Sequence, residues 1–168
     1  MDNKERWERR YASSSHIPAL CATLESYYHL APIGRALDIA CGVGQNSLFL
    51  AQKGFLVDAV DFAKSAIDRI PPHPNIMPIL SDMNDFSMGE GRYDLILCAN
   101  YLERSLFEPI KRALKPGGIV IFETFTYKKQ GMNPRYLLGP NELLKAFLDL
   151  EVLHYELKGE RAAIVAKK

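Results

Sequence analysis

Residues 35–51 read Arg-Ala-Leu-Asp-Ile-Ala-Cys-Gly-Val-Gly-Gln-Asn-Ser-Leu-Phe-Leu-Ala and carry the clearest structural signal in the chain. An apolar run over Ala36–Ala40 breaks at Gly42-Val43-Gly44 and continues in a helical pattern. Glycines allow a tight turn and a close approach of the backbone to a ligand. The pattern therefore predicts the strand, glycine turn and helix that hold a nucleotide, with an ordinary strand-to-helix turn as the alternative.

The composition predicts a single domain over residues 1–168, since 48% of the residues are hydrophobic and the length suits one core. The net charge of +1 gives no overall footprint for nucleic acid, although a local basic patch stays open. The chain has neither an apolar stretch of about 18 residues nor a signal-peptide pattern, so we expect no membrane association and a cytoplasmic location. The three cysteines have no metal-ligand spacing, and we expect no metal.

Strands and helices alternate along the chain. The predicted strands are 36–40, 55–60, 75–80, 93–99, 119–125, 151–157 and 161–166, and the predicted helices are 3–12, 18–29, 47–53, 62–70, 102–114 and 141–148. Pro78 favours either an edge position for the third strand or the end of that strand. Only three residues separate the last two strands, which predicts an antiparallel hairpin. The order predicts an α/β fold with a doubly wound, mostly parallel seven-stranded sheet that binds its ligand at the carboxyl ends of the strands.

With these elements in place, the chain resembles the class I S-adenosylmethionine-dependent methyltransferases, which have a Rossmann-like sheet of this kind. The resemblance rests on four features: Leu37-Asp38-Ile39-Ala40-Cys41-Gly42-Val43-Gly44, Asp61 at the end of the second strand, Asp82 after the third, and Leu114-Lys115-Pro116-Gly117-Gly118 before the fifth. It covers roughly residues 30–168. The residues around Trp7 and Tyr11, with Gln45-Asn46-Ser47-Leu48, are also similar to the small bacterial methyltransferases grouped with tellurite-resistance proteins.

The spacing and the resemblance together assign candidate residues for S-adenosylmethionine. Asp61 follows Gly42 by 19 residues, which suits an acid on the ribose hydroxyls, although Asp61 is equally suited to cap the next helix. In the family, an acid at Asp38 and carbonyls at Cys41 and Gly42 hold the methionine end, and Asp82 with the Met83 amide recognises adenine. The predicted cofactor contacts are Asp38, Cys41, Gly42, Gly44, Asp61, Phe62, Asp82, Met83 and Asn100, with Asp85 as a competitor of Asp82. The alternatives are simple packing for Phe62, a turn for Asn100, and capping or solvation of the loop for Asp82 and Asp85.

The acceptor side is less defined by the sequence. Candidate substrate contacts are Tyr11, Tyr101, Glu123, Tyr127 and Arg135, of which the last two lie in an insertion at 126–139 that forms part of the substrate wall in similar enzymes. No catalytic residue is assigned, and His16 is kept as a reserve base. The amino-terminal segment 1–30 is predicted to be helical, either as a lid or as packing.

The expected activity is methyl transfer from S-adenosylmethionine to a small or medium-sized acceptor by direct displacement. The alternatives are a nicotinamide-dependent oxidoreductase and a non-catalytic regulatory subunit that binds the cofactor. Asp38 and Ser47 argue against a dinucleotide-binding turn. Asn100-Tyr101-Leu102-Glu103 departs from the Asn-Pro-Pro-Tyr type of sequence, which disfavours methylation of base amino groups. The sequence does not indicate an oligomeric state.

Overall fold

The computed structural model describes residues 2–168 and contains one seven-stranded sheet. The strands are β1 Arg35–Ile39, β2 Leu56–Asp61, β3 Ile76–Leu80, β4 Tyr93–Ala99, β5 Leu114–Phe125, β6 Glu151–Lys158 and β7 Arg161–Lys167. The helices are α1 Asn3–Ser13, α2 Ala22–Tyr27, α3 Gln45–Gln52, α4 Lys64–Ile67, α5 Phe107–Ala113 and α6 Glu142–Ala146.

The strand order is β3-β2-β1-β4-β5-β7-β6. The first five strands are parallel, and β7 runs antiparallel to both of its neighbours, β5 and β6. This order confirms the predicted doubly wound, mostly parallel sheet with a carboxyl-terminal hairpin. β3 lies at the edge, as Pro78 predicted, because proline cannot donate a hydrogen bond to a second neighbouring strand. β7 inserts between β5 and β6, so the last strand of the chain lies inside the sheet.

The core lies on both faces of the sheet, as alternating side chains of the buried strands dictate. On one face, Leu37 and Phe122 pack with Ile110 of α5 and Phe147 after α6. The other face carries a second cluster, in which strand residues pack against Leu24 of α2 and Leu50 and Ala51 of α3. The helices cover both faces of the sheet, and the glycine turn lies at the carboxyl ends of the strands, between β1 and α3.

The helix predicted over 18–29 begins only at Ala22, and residues 14–21 are extended or irregular. Two contacts explain the difference. The Cys21 amide donates to Asn46 Oδ1 at 2.9 Å, which removes it from the helical pattern. Arg69 also donates to the His16 carbonyl at 3.3 Å, which holds the segment before α2 against a distant part of the chain. The helix predicted over 62–70 is likewise shorter, with α4 confined to Lys64–Ile67.

The helix predicted over 102–114 is split into a 3-10 turn at Arg104–Leu106 and then α5. Glu103 accepts a hydrogen bond from the Ser105 amide at 3.2 Å and so caps the start of the 3-10 turn. Pro109 lies in the first turn of α5, where its missing N–H costs nothing.

Candidate functional site

Three aspartates lie at the carboxyl ends of three adjacent parallel strands. Asp38 is in β1, Asp61 ends β2, and Asp82 lies two residues after β3. Neighbouring strands are about 4.8 Å apart, so these carboxylates follow one another along one edge of the sheet. The Gly42–Gly44 turn leaves β1 at this same edge and leads into α3. We call this group of three acids and the turn the acid edge.

The turn requires glycine at two positions. Gly42 has φ of 56° and Gly44 has φ of 81°, in the left-handed region that other residues rarely adopt. A Cβ atom at Gly42 would lie 2.9 Å from the hydroxyl oxygen of Tyr11, so space is also limited there. The Gly44 amide donates to the Cys41 carbonyl at 3.1 Å and closes the turn.

Asp38 is fully enclosed, with 1% of its surface exposed. The Ser47 hydroxyl donates to Asp38 Oδ2 at 2.6 Å. Burial raises the pKa of Asp38 to about 7, against the lowering effect of the Ser47 hydrogen bond, and the charge of Asp61 adds to the rise. A positively charged group beside Asp38 would reverse this effect, so the position favours a cationic ligand atom.

Asp61 connects the turn to the start of α4. Its Oδ2 atom accepts from the Gly42 amide at 2.8 Å, and its Oδ1 atom accepts from the Ala63 amide at 2.9 Å. Burial raises the pKa of Asp61, and the two amide hydrogen bonds oppose that rise. Each carboxylate oxygen has a further lone pair. The structural role at Ala63 is therefore compatible with accepting hydrogen bonds from a ligand.

Asp82 is held by contacts on both sides. Asp82 Oδ1 accepts from the Asn84 amide at 2.9 Å, and Oδ2 forms an ion pair with Lys4 of α1 at 2.5 Å. The Lys4 ammonium holds the pKa of Asp82 below its ordinary value. The Met83 side chain is buried in the core, and its backbone amide has no hydrogen-bond partner among residues 2–168. Asp85, the competing candidate, is exposed.

Helix α1 lies across the acid edge. The Glu8 carboxylate accepts from the Ser65 amide, and the Glu8 carbonyl accepts from the Ser65 hydroxyl, both at 2.9 Å. Arg69 donates to the carbonyls of Tyr11 and Ser14 at 3.1 and 2.7 Å. Together with the Lys4 ion pair, these contacts fix both ends of α1 over the site. We call α1 with Ser14 the cover helix.

Two tyrosines add hydroxyl groups near the acids. Tyr11 packs with Phe62 against a small apolar cluster beside the turn. Burial raises the pKa of Tyr11 to about 12, and the charge of Asp61 adds to the rise. Burial also raises the pKa of Tyr101, which follows β4, and the charges of Asp82 and Asp61 contribute. Both hydroxyls are therefore neutral donors at physiological pH rather than bases.

A second polar group lies at the ends of β4, β5 and β7. Asn100 follows β4 with φ of 59°, and its side-chain oxygen accepts from Arg161 Nη2 at 2.5 Å. Glu123 Oε2 accepts from Arg161 Nε at 2.9 Å, and Glu123 Oε1 accepts from the Thr23 hydroxyl at 2.6 Å. The structure thus joins two predicted residues, Asn100 and Glu123, through Arg161. We call these four residues the arginine network.

The structure does not bring the other predicted substrate residues to the acid edge. Tyr127 is 53% exposed and lines a cavity of about 160 Å³ with Leu157, Gly159 and Arg161. Arg135 is exposed, with its guanidinium 5.9 Å from the centre of the Tyr136 ring. His16 is exposed as well. Within the described part of the chain, no hydrogen bond links these three side chains to the acids.

Sequence reasoning missed Lys4, Glu8 and Arg161. The first two had a usable signal, since Lys4, Glu8 and Tyr11 recur at four- and three-residue spacing and therefore share one face of a helix. Arg161 had no local signal. Its contact with Glu123 depends on the insertion of β7 beside β5, which a hairpin prediction alone does not give.

Comparisons with known proteins show similarity to methyltransferases. Residues 36–118 match a family model described as a methyltransferase domain. The chain is 32% identical over 103 residues to a methyltransferase of Bacillus subtilis, YqeM, covering 54% of this chain and 42% of that protein. It is 30% identical over 125 residues to the uncharacterized methyltransferase sll0829 of Synechocystis, covering 65% of this chain and 59% of that protein. The chain thus spans about half the length of these relatives.

The fold is also found among solved structures. The crystal structure of TehB from Haemophilus influenzae superposes with a TM-score of 0.74 at 20% identity, covering 98% of this chain and 66% of that chain. At this level of identity, the similarity concerns the fold alone. Among residues 2–168, no helix combines the length and the apolar character that crossing a membrane requires.

Proposed function

The chain belongs to the class I S-adenosylmethionine-dependent methyltransferases, and we propose that it transfers the methyl group of S-adenosylmethionine to a small or medium-sized acceptor by direct displacement. The observation that carries the proposal is the acid edge, where three carboxylates on successive strands surround a glycine turn. A methyl donor with an amino-acid end, a ribose and an adenine needs acceptors for its polar groups in that order.

The residues at the acid edge fit the cofactor. The enclosed Asp38 carboxylate, with its pKa raised to about 7, suits the ammonium of the methionine end. Asp61 retains lone pairs for the ribose hydroxyls. The Met83 amide, which has no partner in the described residues, offers a donor to a ring nitrogen beside the Asp82 acceptor. Phe62 lies next to Asp61 and is half-buried, so it suits an adenine face.

In our proposal, the protein contributes binding, alignment and exclusion of water. S-adenosylmethionine supplies a methyl group that its positive sulfur already activates. Asp38, Asp61 and Asp82 hold the ligand along the edge, and the carbonyls of Cys41 and Gly42 face its amino-acid end. The neutral hydroxyls of Tyr11 and Tyr101 donate hydrogen bonds without accepting a proton. Such positioning can account for a large share of a displacement rate.

We propose that the cover helix acts as a lid. In the structure it lies over the acid edge, and Lys4 forms an ion pair with Asp82, one of the proposed adenine contacts. Adenine recognition at Asp82 therefore requires that Lys4 move or share the carboxylate. A helix that opens to admit the ligand and then closes also excludes water from the methyl group. The lid is the proposed role of the amino-terminal segment, over residues 3–14.

The proposed acceptor is a small molecule, and the proposed compartment is the cytoplasm. All three cysteines are buried free thiols, which suits a reducing environment. To test the activity, the protein is incubated with S-adenosylmethionine and a panel of small oxygen, nitrogen and sulfur nucleophiles, and release of S-adenosylhomocysteine is measured. We expect turnover with at least one class of nucleophile. Saturable cofactor binding with no turnover would instead favour a regulatory subunit.

A further inference from the structure

Arg161 is held in place from several directions. Its Nε and Nη2 atoms both contact Glu123, at 2.9 and 2.7 Å, and Nη2 also reaches Asn100. The guanidinium lies 4.5 Å from the centre of the Phe125 ring, which supports its flat face. Glu123 is itself fixed by Thr23 of α2. The guanidinium is therefore pre-organised, although 29% of the Arg161 side chain is exposed.

The network presents hydrogen-bond donors that the protein does not use. Among residues 2–168, neither Nη1 of Arg161 nor the side-chain nitrogen of Asn100 has a hydrogen-bond partner. The Asn100 oxygen accepts from Arg161, and this hydrogen bond fixes the amide while its N–H groups have no partner in the described residues. The Glu123 oxygens are already engaged by Thr23 and Arg161. The two unused donors thus belong to residues that a direct hydrogen bond already joins.

The order of the sheet places these donors beside the proposed methyl site. The acids follow β3, β2 and β1, and the network continues the same edge over β4, β5 and β7. Asn100 directly follows β4, the neighbour of the β1 strand that carries Asp38. A ligand that ends with its amino-acid part over β1 therefore faces Asn100, and an acceptor lies beyond it.

We propose that Arg161 and Asn100 form a carboxylate-binding subsite, which takes either the carboxylate of the cofactor's amino-acid end or a carboxylate of the acceptor. The subsite rests on the proposed function. The unused Nη1 of Arg161 and the side-chain nitrogen of Asn100 can each donate a hydrogen bond to an oxygen of a carboxylate. Glu123 neutralises the guanidinium and fixes its plane, so binding depends on directed hydrogen bonds more than on net charge. The other nearby cation, Lys129, lies over Phe125 and is paired with Glu160 at 3.0 Å.

The test uses two variants and one control. Arg161→Gln removes the guanidinium. Asn100→Gly removes the amide but keeps the left-handed backbone, since glycine adopts φ of 59° without strain. Arg112→Gln, on the exposed surface at the far end of α5, is the matched control. Circular dichroism and thermal unfolding establish that each variant folds.

One arm of the test asks whether the bound carboxylate belongs to the cofactor. Calorimetry compares S-adenosylhomocysteine with 5′-methylthioadenosine, which lacks the amino-acid part. If the carboxylate is the cofactor's, both variants weaken S-adenosylhomocysteine binding about tenfold, the loss expected for one charge-assisted hydrogen bond, and leave 5′-methylthioadenosine unchanged. Arg161→Lys keeps the positive charge but lacks the planar guanidinium, so it should recover only part of the lost affinity for S-adenosylhomocysteine.

The other arm measures the acceptor. Ligand-observed NMR titrates benzoate and its neutral analogue benzamide into protein saturated with S-adenosylhomocysteine. If the carboxylate is the acceptor's, benzoate binds better than benzamide, and both variants remove this preference. Unchanged binding in both arms would overturn the subsite while leaving the proposed function intact. A wild-type protein that does not bind S-adenosylhomocysteine would overturn the proposed function itself.

Discussion

At Asp38, burial favours the neutral carboxyl group, whereas a positively charged group of a ligand would favour the carboxylate. Its pKa of about 7 means that the carboxyl group is neutral at pH 6 and charged at pH 8. Only the charged form attracts the ammonium of the cofactor's amino-acid end. We therefore expect S-adenosylhomocysteine to bind roughly tenfold more weakly at pH 6 than at pH 8, as measured by calorimetry.

The control for this pH dependence is 5′-methylthioadenosine, which carries no ammonium and should bind almost equally at both pH values. Asp38→Asn should bind S-adenosylhomocysteine weakly and without the same dependence. A pH-independent affinity in the wild type would contradict the assignment of Asp38 to the ammonium.

The same residue affects stability without ligand. Because the folded-state pKa of Asp38 is raised from 3.8 to about 7, the folded protein binds more protons than the unfolded chain between these values. As the pH rises from about 4 to 7, ionisation of the buried Asp38 therefore destabilises the folded protein more and more. This destabilisation is fully present above pH 7. We expect Asp38→Asn to be more stable than the wild type at pH 8, by at most roughly 4 kcal/mol.

Urea unfolding at pH 5 and pH 8 measures this difference. The Asn side chain can still accept from Ser47, so the advantage of the variant should shrink towards pH 5. An Asp38→Asn protein that is less stable than the wild type at pH 8 would show that the carboxylate has a structural partner beyond Ser47.

Gly42 offers a test of how closely the cover helix approaches the turn. Gly42→Ala introduces a left-handed alanine and a Cβ 2.9 Å from the Tyr11 hydroxyl. Gly131→Ala is a matched control, since Gly131 has φ of 74° but open space around its Cβ position. Both variants should lose about 1 kcal/mol from backbone strain. Gly42→Ala should lose more in urea unfolding, and equal losses would contradict the contact with Tyr11.

At the scale of elements, the cover helix is the part of the fold whose role depends on movement. Arg69 fixes its carboxyl-terminal end by donating to the carbonyls of Tyr11 and Ser14, and more weakly to that of His16 at 3.3 Å. Arg69→Gln should therefore open the lid more often and release S-adenosylhomocysteine about tenfold faster in stopped-flow measurements, which corresponds to about 1.4 kcal/mol.

Arg9→Gln is the matched control for the lid, because Arg9 is an exposed residue of the same helix. It should leave the release rate unchanged. If Arg69→Gln and Arg9→Gln release the ligand at the wild-type rate, the cover helix is packing and not a lid.

The elements also show what the sequence could predict. The helix at 3–13 and the strand Tyr93–Ala99 follow directly from local apolar spacing, and both agree with the structure. The start of α2 could not be predicted in this way. Its apolar spacing begins at Ile17, but Arg69 holds the carbonyls of Ser14 and His16 and Asn46 takes the Cys21 amide. These contacts come from distant parts of the chain and override the local pattern.

At the scale of the whole molecule, the sequence predicts only some of the side chains that meet at the carboxyl edge of the sheet. The acids of the three strands β1, β2 and β3 could be placed together because parallel strands present their carboxyl ends at one edge. The arginine network could not, because its members come from α2, β4, β5 and β7 and meet only through the strand order. Arg135 and Tyr127 were predicted to contact the acceptor because they lie in a nearby insertion. Among residues 2–168 their side chains form no hydrogen bond with the three acids, and their contact with an acceptor stays a prediction.

The central claim is that the acid edge binds S-adenosylmethionine, and calorimetric titration of the wild-type protein with S-adenosylhomocysteine tests it most directly. NADH titrated under the same conditions distinguishes the dinucleotide alternative. The account predicts saturable binding of S-adenosylhomocysteine at one site per chain, weakened by roughly 1–3 kcal/mol in Asp61→Ala through lost hydrogen bonds, with no saturable binding of NADH. Absence of binding by both S-adenosylhomocysteine and S-adenosylmethionine, or tight binding of NADH instead, would contradict it.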